Sequence, residues 1–190
     1  MAIVLASQSP RRQELLARIG VEDFKTLSLD IDESYPAGLS PEDTVRYIAK
    51  KKCDAAAALC APDDLIITAD TMVFLGNDRL GKPRDEEDAL RMLRALSGHA
   101  HTVCTGVSVR RGAQEERFAV STRVFFRPMT DDEIRAYIKT GEPMDKAGAY
   151  GVQSRGALFV ERIDGDFFNV MGLPVEQLGL VLARFGVKLL

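Results

Sequence analysis

The sequence predicts an α/β protein in which helices flank a mixed, twisted β-sheet. Strand-like and helix-like segments alternate along the whole chain, with no internal repeat and no low-complexity linker. Residues 65–69 form a near-continuous apolar run, which is typical of a central strand covered on both faces. A chain of 190 residues is long enough to bury a sizeable core, so we expect residues 1–190 to form a single domain.

The chain begins with a predicted strand at residues 3–6, a turn, and a helix with Ser9 as its N-cap and Pro10 as its first residue. The first turn of this helix contains Arg11 and Arg12, although the exposed N–H groups and the positive dipole end disfavour cations there. An anion between the two guanidinium groups relieves this repulsion, so the arrangement outlines a phosphate site. The alternative is that both arginines are solvated surface residues.

The next helix is predicted from Pro41 to about residue 61, and it carries a lysine among its apolar residues. At about 100° per residue, Lys52 points along the middle of the apolar stripe. A lysine on the inward face must either extend to solvent or meet an anion, and both alternatives stay open. The stripe consists of Val45, Ile48, Ala56 and Leu59.

Acidic residues follow two predicted strands. Asp70 is expected to end the strand at 65–69, and an acidic loop with Asp30, Asp32 and Glu33 follows a strand at 24–29. Ligands of open α/β sheets bind where strands meet loops, and Mg²⁺ takes one or two carboxylates with water and phosphate oxygens. The pattern suits a Mg²⁺–polyphosphate site, although Asp70 could instead cap a turn.

The second half of the chain supplies the remaining predicted elements. A capping box of Thr130 and Glu133 opens one helix, which Gly141 closes, and Asp164-Gly165 is a strong hairpin signal. Pro174 opens the last helix. The other predicted elements are a helix at 85–96, strands at 102–109 and 118–127, and two hairpin strands at 157–163 and 166–170.

Two apparent motifs fail on inspection. Residues 76–82 match the start of a Walker A loop, but Pro83 supplies neither a Mg²⁺-binding hydroxyl nor a backbone N–H. Lys82, between a glycine and a proline, remains a candidate phosphate contact. His99 and His101 suggest zinc, but no third ligand clusters with them.

The overall composition excludes several classes of protein. A formal net charge of −3 and a pI near 5.5 argue against a nucleic-acid binder. Three cysteines are too few for a disulfide scaffold and fit a reducing compartment. No basic leader and no run of about 18 apolar residues is apparent. We therefore expect a cytoplasmic protein that does not bind membranes.

Taken together and in order, the motifs resemble the Maf family of nucleotide pyrophosphatases, also called septum-formation-inhibitor proteins. The resemblance extends over nearly the whole chain. One further motif, at residues 145–153, has two glycines and two alanines that allow a backbone to approach a ligand, so that Tyr150 and Gln153 could touch a base. The alternative is that this segment is a plain surface loop. The matching motifs are residues 6–12 (ASQSPRR), Glu33, Lys52, residues 69–71 (ADT), 81–83 (GKP), 96–98 (LSG) with His101, 145–153 (DKAGAYGVQ) and 169–174 (NVMGLP).

The resemblance implies a fold similar to the inosine-triphosphatase, or Ham1-like, architecture with a deep cleft, usually in a homodimer. It also implies Mg²⁺- or Mn²⁺-dependent hydrolysis of a nucleoside triphosphate to the monophosphate and pyrophosphate, a reaction that cleans the nucleotide pool. Asp70 is then the proton acceptor. The shared catalytic, phosphate-binding and metal-binding residues are Ser9, Arg12, Glu33, Lys52, Asp70 and Lys82, with Glu33 and Asp70 as the metal ligands.

Substrate choice within the family is placed at Arg11, Thr71 and Gln153, and this trio resembles the branch that hydrolyses dTTP and UTP. The branch acting on 7-methyl-GTP carries a tryptophan at the position of Arg11. The alternatives are a purine-selective or 7-methyl-GTP pyrophosphatase, or a non-catalytic nucleotide-binding regulator of cell division. The sequence leaves open whether Asp70 is the base or a metal ligand.

Overall fold

The computed structural model describes residues 1–190 as a mixed α/β fold with one seven-stranded sheet and six α-helices. The predicted fold class is therefore confirmed. The strands are β1 Ile3–Leu5, β2 Phe24–Thr26, β3 Leu65–Leu75, β4 Asp78–Leu80, β5 Ala100–Arg111, β6 Gln114–Phe126 and β7 Val160–Asp164. The helices are α1 Pro10–Arg18, α2 Pro41–Ala57, α3 Glu86–Leu96, α4 Asp131–Ile138, α5 Phe167–Met171 and α6 Val175–Arg184.

The sheet is mixed, with strand order β2-β1-β3-β5-β6-β7 and β4 paired to β3. Strand β1 runs parallel to both β2 and β3, and Leu5 lies opposite Thr26 on one side and Ile67 on the other. Strands β4 and β7 run antiparallel to β3 and β6. The parallel strands β1 and β3 follow the buried apolar pattern expected of strands covered on both faces.

The chain divides into two compact units. Strands β3, β5 and β6 each contribute residues to both units. The first unit contains residues 1–70, 105–120 and 172–190, and the second contains residues 71–104 and 121–171. In the first unit α2 lies very close to β5, because a Cβ on Gly106 would be 2.3 Å from the carbonyl carbon of Val45. Only glycine fits at this position.

The second unit is organised by capped helices and an aromatic cluster. The capping box predicted at the start of α4 is present, with Thr130 and Glu133 exchanging their bonds. Tyr150 packs edge-to-face on Phe126 and on His101, and Tyr137 packs edge-to-face on Phe159. These rings fix the segment around residue 150 against β5 and β6.

The structure corrects two strand assignments. Asp70 does not end its strand, because β3 continues to Leu75 and the carboxylate is buried within it. A lysine partner from α2 stabilises the buried charge, and the apolar residues that follow extend the strand. Strand β2 is shorter than predicted and ends at Thr26.

On α2, Leu59 lies beyond the helix end and is exposed, whereas the other three residues of the predicted apolar stripe are buried.

The predicted hairpin at Asp164-Gly165 is also wrong, because helix α5 follows Gly165 instead of a strand. Thr122 donates to the Asp166 carbonyl at 3.1 Å and accepts from the Asp166 N–H at 3.1 Å, which ties the turn to β6. The Asp166 carboxylate then accepts from the Phe168 N–H at 2.7 Å. These bonds start a helix at a position where the local sequence favours the second strand of a hairpin.

Candidate active site

The first unit gathers one lysine and two carboxylates at a single point. Lys52 Nζ lies 2.8 Å from Asp70 Oδ1 and 2.9 Å from Glu33 Oε1. The side chains of Lys52 and Asp70 are 14% and 9% exposed, whereas that of Glu33 is 50% exposed. The inward direction predicted for Lys52 is therefore observed, and the anion it meets belongs to this chain.

The path of α2 along β3 explains why these residues meet. Thr68 Oγ1 donates to the Ala49 carbonyl at 2.7 Å, so α2 lies against the face of β3 that carries Thr68. Asp70 is two residues further along the strand and so shares that face. Lys52 is three residues further along the helix, a rise of about 4.5 Å. The pair formed by Lys52 and Asp70 is thus the next contact after the one between Ala49 and Thr68.

One oxygen of Asp70 has no partner. Oδ2 is buried and accepts no hydrogen bond, whereas Oδ1 is held by Lys52. Buried carboxylate oxygens without a partner are rare, and they are candidates for a chemical role. The arrangement leaves one oxygen able to accept a proton or to bind a cation.

The carboxylates of Asp70 and Glu33 are hard oxygen donors that suit Mg²⁺ or Mn²⁺. No group of three or more His, Cys, Asp or Glu side chains with ligand geometry is present. Mg²⁺ usually takes one or two carboxylates and completes its shell with water and phosphate oxygens. The unpartnered Asp70 Oδ2 and the half-exposed Glu33 fit such a shell.

Only one of the three acidic residues in the loop after β2 joins the cluster. The Asp32 carboxylate instead accepts from the Ser34 N–H at 3.0 Å, and its other oxygen lies 3.2 Å from Lys51 Nζ. Hydrogen bonds from Ser34, strengthened by Lys51, lower the pKa of Asp32 to about 2. Glu33 is therefore the acidic residue of this loop that reaches Lys52.

Arg12 donates to two backbone carbonyls and to one serine side chain of the first unit. Its Nε donates to the Gly172 carbonyl at 2.8 Å, and Nη1 donates to the Ala69 carbonyl at 2.9 Å and reaches Ser7 Oγ at 3.4 Å. Burial lowers the pKa of Arg12, while the nearby charges of Asp70 and Glu33 act in the opposite direction. Because the Ala69 carbonyl directly precedes Asp70, Arg12 fixes the backbone that carries the candidate base.

The residues around Arg12 occupy the turn between β1 and α1. Ser9 is the N-cap of α1, as predicted, but its side chain makes no capping hydrogen bond. Its N–H donates to Ser7 Oγ at 3.2 Å. Arg11 is half-buried in the first turn of α1, and no acidic residue lies in that turn. The first turn of the helix therefore carries cations alone, as the sequence indicated.

The remaining candidate residues belong to the second unit. Thr71 follows Asp70 in β3 and is half-buried, whereas Lys82 and Gln153 are exposed. The loop that carries Lys82 is fixed through Gly81, whose carbonyl accepts from the Gly148 N–H at 3.1 Å.

The two histidines have partners other than a metal. His101 is buried, and its Nε2 lies 2.8 Å from the Tyr150 hydroxyl. Burial lowers the pKa of His101 to about 4, so the ring is neutral at pH 7. His99 Nδ1 lies 2.8 Å from the Ser97 carbonyl.

None of the helices combines the length and apolar character that a membrane span requires.

Comparison with known proteins assigns the family. Residues 2–185 match the family model described as Maf-like protein. The chain belongs to the Maf family. One Maf relative, from Bacillus velezensis, is named dTTP/UTP pyrophosphatase and is 46% identical over 186 residues, covering 98% of this chain and 97% of the relative.

A second Maf relative, from Anaeromyxobacter dehalogenans, carries the same name and is 48% identical over 191 residues, covering 98% of this chain and 95% of the relative. Among solved structures, a HAM1 protein from Coxiella burnetii matches with a TM-score of 0.56 and 14% identity. That match covers 97% of this chain and 99% of the HAM1 chain. It shows that the Maf chain shares the HAM1 fold.

Proposed function

We propose that this Maf protein hydrolyses nucleoside triphosphates, with dTTP and UTP favoured, to the nucleoside monophosphate and pyrophosphate. The observation that carries the proposal is the Asp70 carboxylate, which is held by Lys52 through one oxygen and is buried without a partner at the other. A nucleotide-binding regulator has no use for a fixed, unsatisfied carboxylate. The names of the relatives support the same reaction.

In the proposed reaction, a water molecule attacks the α-phosphorus and gives its proton to Asp70 Oδ2. The bond between the α-phosphorus and the bridging oxygen breaks, and pyrophosphate leaves with the electron pair. Lys52 holds Asp70 through Oδ1, so the carboxylate stays oriented for the proton transfer. Since negative charge grows on the leaving pyrophosphate, we assign Lys82 and Arg12 to its stabilisation together with Lys52.

A divalent metal, Mg²⁺ or Mn²⁺, is part of the proposal. Glu33 and Asp70 are the residues that would hold it, and the bound ion would supply positive charge to the phosphate oxygens. Half-exposed Glu33 can turn toward a ligand, whereas Asp70 is fixed by Lys52. One carboxylate oxygen serves one of the two roles at a time, so an Asp70 Oδ2 that held the ion would be unable to accept the proton.

Base selection is assigned to Arg11, Thr71 and Gln153. Thymine and uracil present two carbonyls on either side of an N–H, so a matching site needs donors and one acceptor. The Gln153 amide offers both kinds of group, and Thr71 adds a hydroxyl. Ser9 and Arg12 are assigned to the bound triphosphate. A site built from such hydrogen bonds rejects a base that leaves buried groups unpaired.

The assembly and location of the protein are further parts of the proposal. We assign one functional domain to residues 1–190 and a cytoplasmic homodimer as the active form. Light scattering on the purified chain measures the mass, and a monomer contradicts the dimer. The proposed cellular role is the removal of unwanted triphosphates from the nucleotide pool.

The experiment that tests the activity is pyrophosphate release across common and modified triphosphates with Mg²⁺. We expect turnover of dTTP and UTP by the wild-type protein and a large loss in the Asp70→Asn variant. A preference for inosine triphosphate would instead support a purine-selective pyrophosphatase. A preference for 7-methyl-GTP would support a 7-methyl-GTP pyrophosphatase. Nucleotide binding without turnover of any substrate supports the non-catalytic regulator and contradicts the proposal.

A further inference from the structure

Gln153 lies in a segment that has no regular secondary structure of its own. Residues 150–154 connect two short 3₁₀ helices, Ala147–Ala149 and Arg155–Phe159, and the Gln153 side chain is exposed. A side chain that selects a base by hydrogen bonds must keep a fixed position, since a misplaced amide loses the discrimination. The structure must therefore hold this segment from outside.

One carboxylate holds the residues that follow Gln153. Glu142 Oε1 accepts from Ser154 Oγ at 2.6 Å and from the Gly156 N–H at 3.3 Å, and Oε2 accepts from the Arg155 N–H at 3.3 Å. The three residues immediately after Gln153 are thus all bonded to one side chain. Charge-assisted bonds of this kind are stronger than neutral ones.

The same carboxylate also reaches the residues before Gln153, through Tyr137. The Tyr137 hydroxyl donates to Glu142 Oε1 at 2.8 Å and accepts from the Gly151 N–H at 3.1 Å. A Cβ on Gly156 would lie 2.5 Å from the Gly151 carbonyl oxygen, so the two ends of the segment touch. Gln153 therefore sits at the tip of a closed loop whose two ends are joined by Glu142 and Tyr137.

The charge on Glu142 fits this role. Desolvation raises its pKa, but hydrogen bonds from Ser154, Tyr137 and two backbone N–H groups outweigh that effect and lower it. The carboxylate is therefore ionised at neutral pH and can accept all four bonds. Lys146 Nζ, which donates to the Glu142 carbonyl at 2.7 Å, places a positive charge nearby.

We infer that Glu142 is a positioning residue for base selection: it holds the Gln153 loop in the conformation that recognises a pyrimidine, without touching the substrate. The inference rests on the proposed function. It adds a residue outside the motif at 145–153, and it assigns that residue to specificity and not to the chemical step. The rate with a well-bound substrate should then depend little on Glu142.

The test compares Glu142→Gln and Glu142→Ala with a matched control, Glu133→Ala. Glu133, like Glu142, is a glutamate of the second unit whose carboxylate accepts a hydrogen bond from a backbone N–H, in this case that of Thr130. Unlike Glu142, it forms part of the capping box of α4. We expect Glu142→Ala to lower the ratio of kcat/KM for UTP over GTP by about tenfold, mainly through a higher KM for UTP. The kcat for UTP should stay within about threefold. Glu133→Ala should leave the ratio unchanged even if it lowers the Tm.

A second variant keeps the inference testable if Glu142→Ala does not fold. Tyr137→Phe removes only the hydroxyl that joins Gly151 to Glu142, and it should lower the same ratio in the same direction by a smaller factor. Calorimetric binding of the α,β-imido analogues of UTP and GTP gives a readout that is independent of turnover. Weaker binding of the UTP analogue alone supports the inference.

The outcomes separate the inference from the proposed function. If the wild-type protein prefers UTP and the variants keep that preference, Glu142 has only a structural role and the inference is overturned. The same conclusion follows if the variants bind the UTP and GTP analogues more weakly by the same factor. If the wild-type protein shows no pyrimidine preference, the base selection in the proposed function fails, and the inference fails with it. Loss of kcat with an unchanged selectivity ratio also overturns it.

Discussion

Lys52 Nζ lies 2.8 Å from Asp70 Oδ1, while the second oxygen of the same carboxylate is buried and has no hydrogen-bond partner. The lysine offsets the cost of burying a charge inside strand β3 and fixes the plane of the carboxylate. It also leaves one oxygen unsatisfied, which is unfavourable in a resting protein. This oxygen is the atom to which the proposed reaction assigns the proton of the attacking water.

Asp70→Asn should lower turnover by roughly 10²–10⁴-fold, the usual contribution of a positioned base. The substitution keeps the shape of the side chain and removes its charge and basicity. Pyrophosphate release measures the rate, and circular dichroism confirms the fold. Near-normal turnover in a folded variant excludes Asp70 both as the base and as an essential metal ligand.

Lys52→Met tests whether the lysine is structural as well as functional. A lysine on an apolar stripe suggests, from sequence alone, that methionine is tolerated, but its pair with Asp70 reverses that expectation. Removing Lys52 leaves a buried carboxylate without its partner, which costs roughly 3–5 kcal/mol of unfolding free energy. Activity should also fall steeply.

The control for Lys52 is the double variant Lys52→Met/Asp70→Asn. It removes both charges together, so urea denaturation should show much of the lost stability restored. If the double variant is as unstable as the sum of the two single ones, the pair contributes no coupling energy. The stabilising role of Lys52 is then wrong.

Arg12→Lys tests the bonds from Arg12 to the backbone. Lysine keeps the positive charge but cannot donate at once to the carbonyls of Gly172 and Ala69. Each carbonyl left unpaired costs about 1–3 kcal/mol, so we expect a lower Tm and a lower kcat than in the wild type. Retained stability with raised KM would indicate that Arg12 acts mainly on the phosphates. Arg18→Lys, an exposed substitution on the same helix, is the control.

Stability should fall below pH 6.5 because of His101. Its pKa is about 4 in the folded protein and near 6.5 in the unfolded chain, so acid protonates the unfolded chain first. The loss begins as pH falls through about 6.5 and reaches about 3 kcal/mol near pH 4, where the folded form also takes up the proton. His101→Gln does not titrate and should lack this contribution. A stability difference between the two proteins that stays constant from pH 7 to pH 4 contradicts the assignment.

The sequence predicts features that depend on local patterns along the chain. It does not predict features that depend on contacts between residues far apart in the sequence. The inward direction of Lys52 follows from the helical period, and the capping box at Thr130 is a local pattern, so both could be read from the chain. The length of β3 could not, because the buried carboxylate within the strand is paired with Lys52 on α2, a contact that the local sequence does not show. Likewise, the Asp164-Gly165 signal is overridden by bonds to Thr122 on another strand.

The candidate site shows the same division. The acidic loop after β2 has three carboxylates of similar chemistry, and nothing periodic distinguishes Glu33 from Asp32. The structure separates them, because Ser34 and Lys51 hold Asp32 while Glu33 reaches Lys52. Glu142 carries no local signal either, since its partners are the residues around Gln153 and a tyrosine five residues before it.

Gln153→Ala should reduce base preference more than it reduces the rate on the best substrate. The wild-type protein should favour dTTP and UTP over GTP, ATP and 7-methyl-GTP by at least about 10²-fold in kcat/KM, because a mismatched base leaves polar groups unpaired. Removing the amide takes away both the donor and the acceptor that match uracil. Purine turnover should therefore change little while UTP turnover at low concentration falls.

The matched control for Gln153 is Gln114→Ala, an exposed glutamine at the start of β6. Its kcat/KM values should equal those of the wild type for every nucleotide. A Gln153→Ala variant that loses kcat equally on all substrates would place the glutamine in the chemical step and contradict its role in selection. A wild-type preference for 7-methyl-GTP would instead contradict the roles given to Arg11, Thr71 and Gln153 while leaving the family assignment intact.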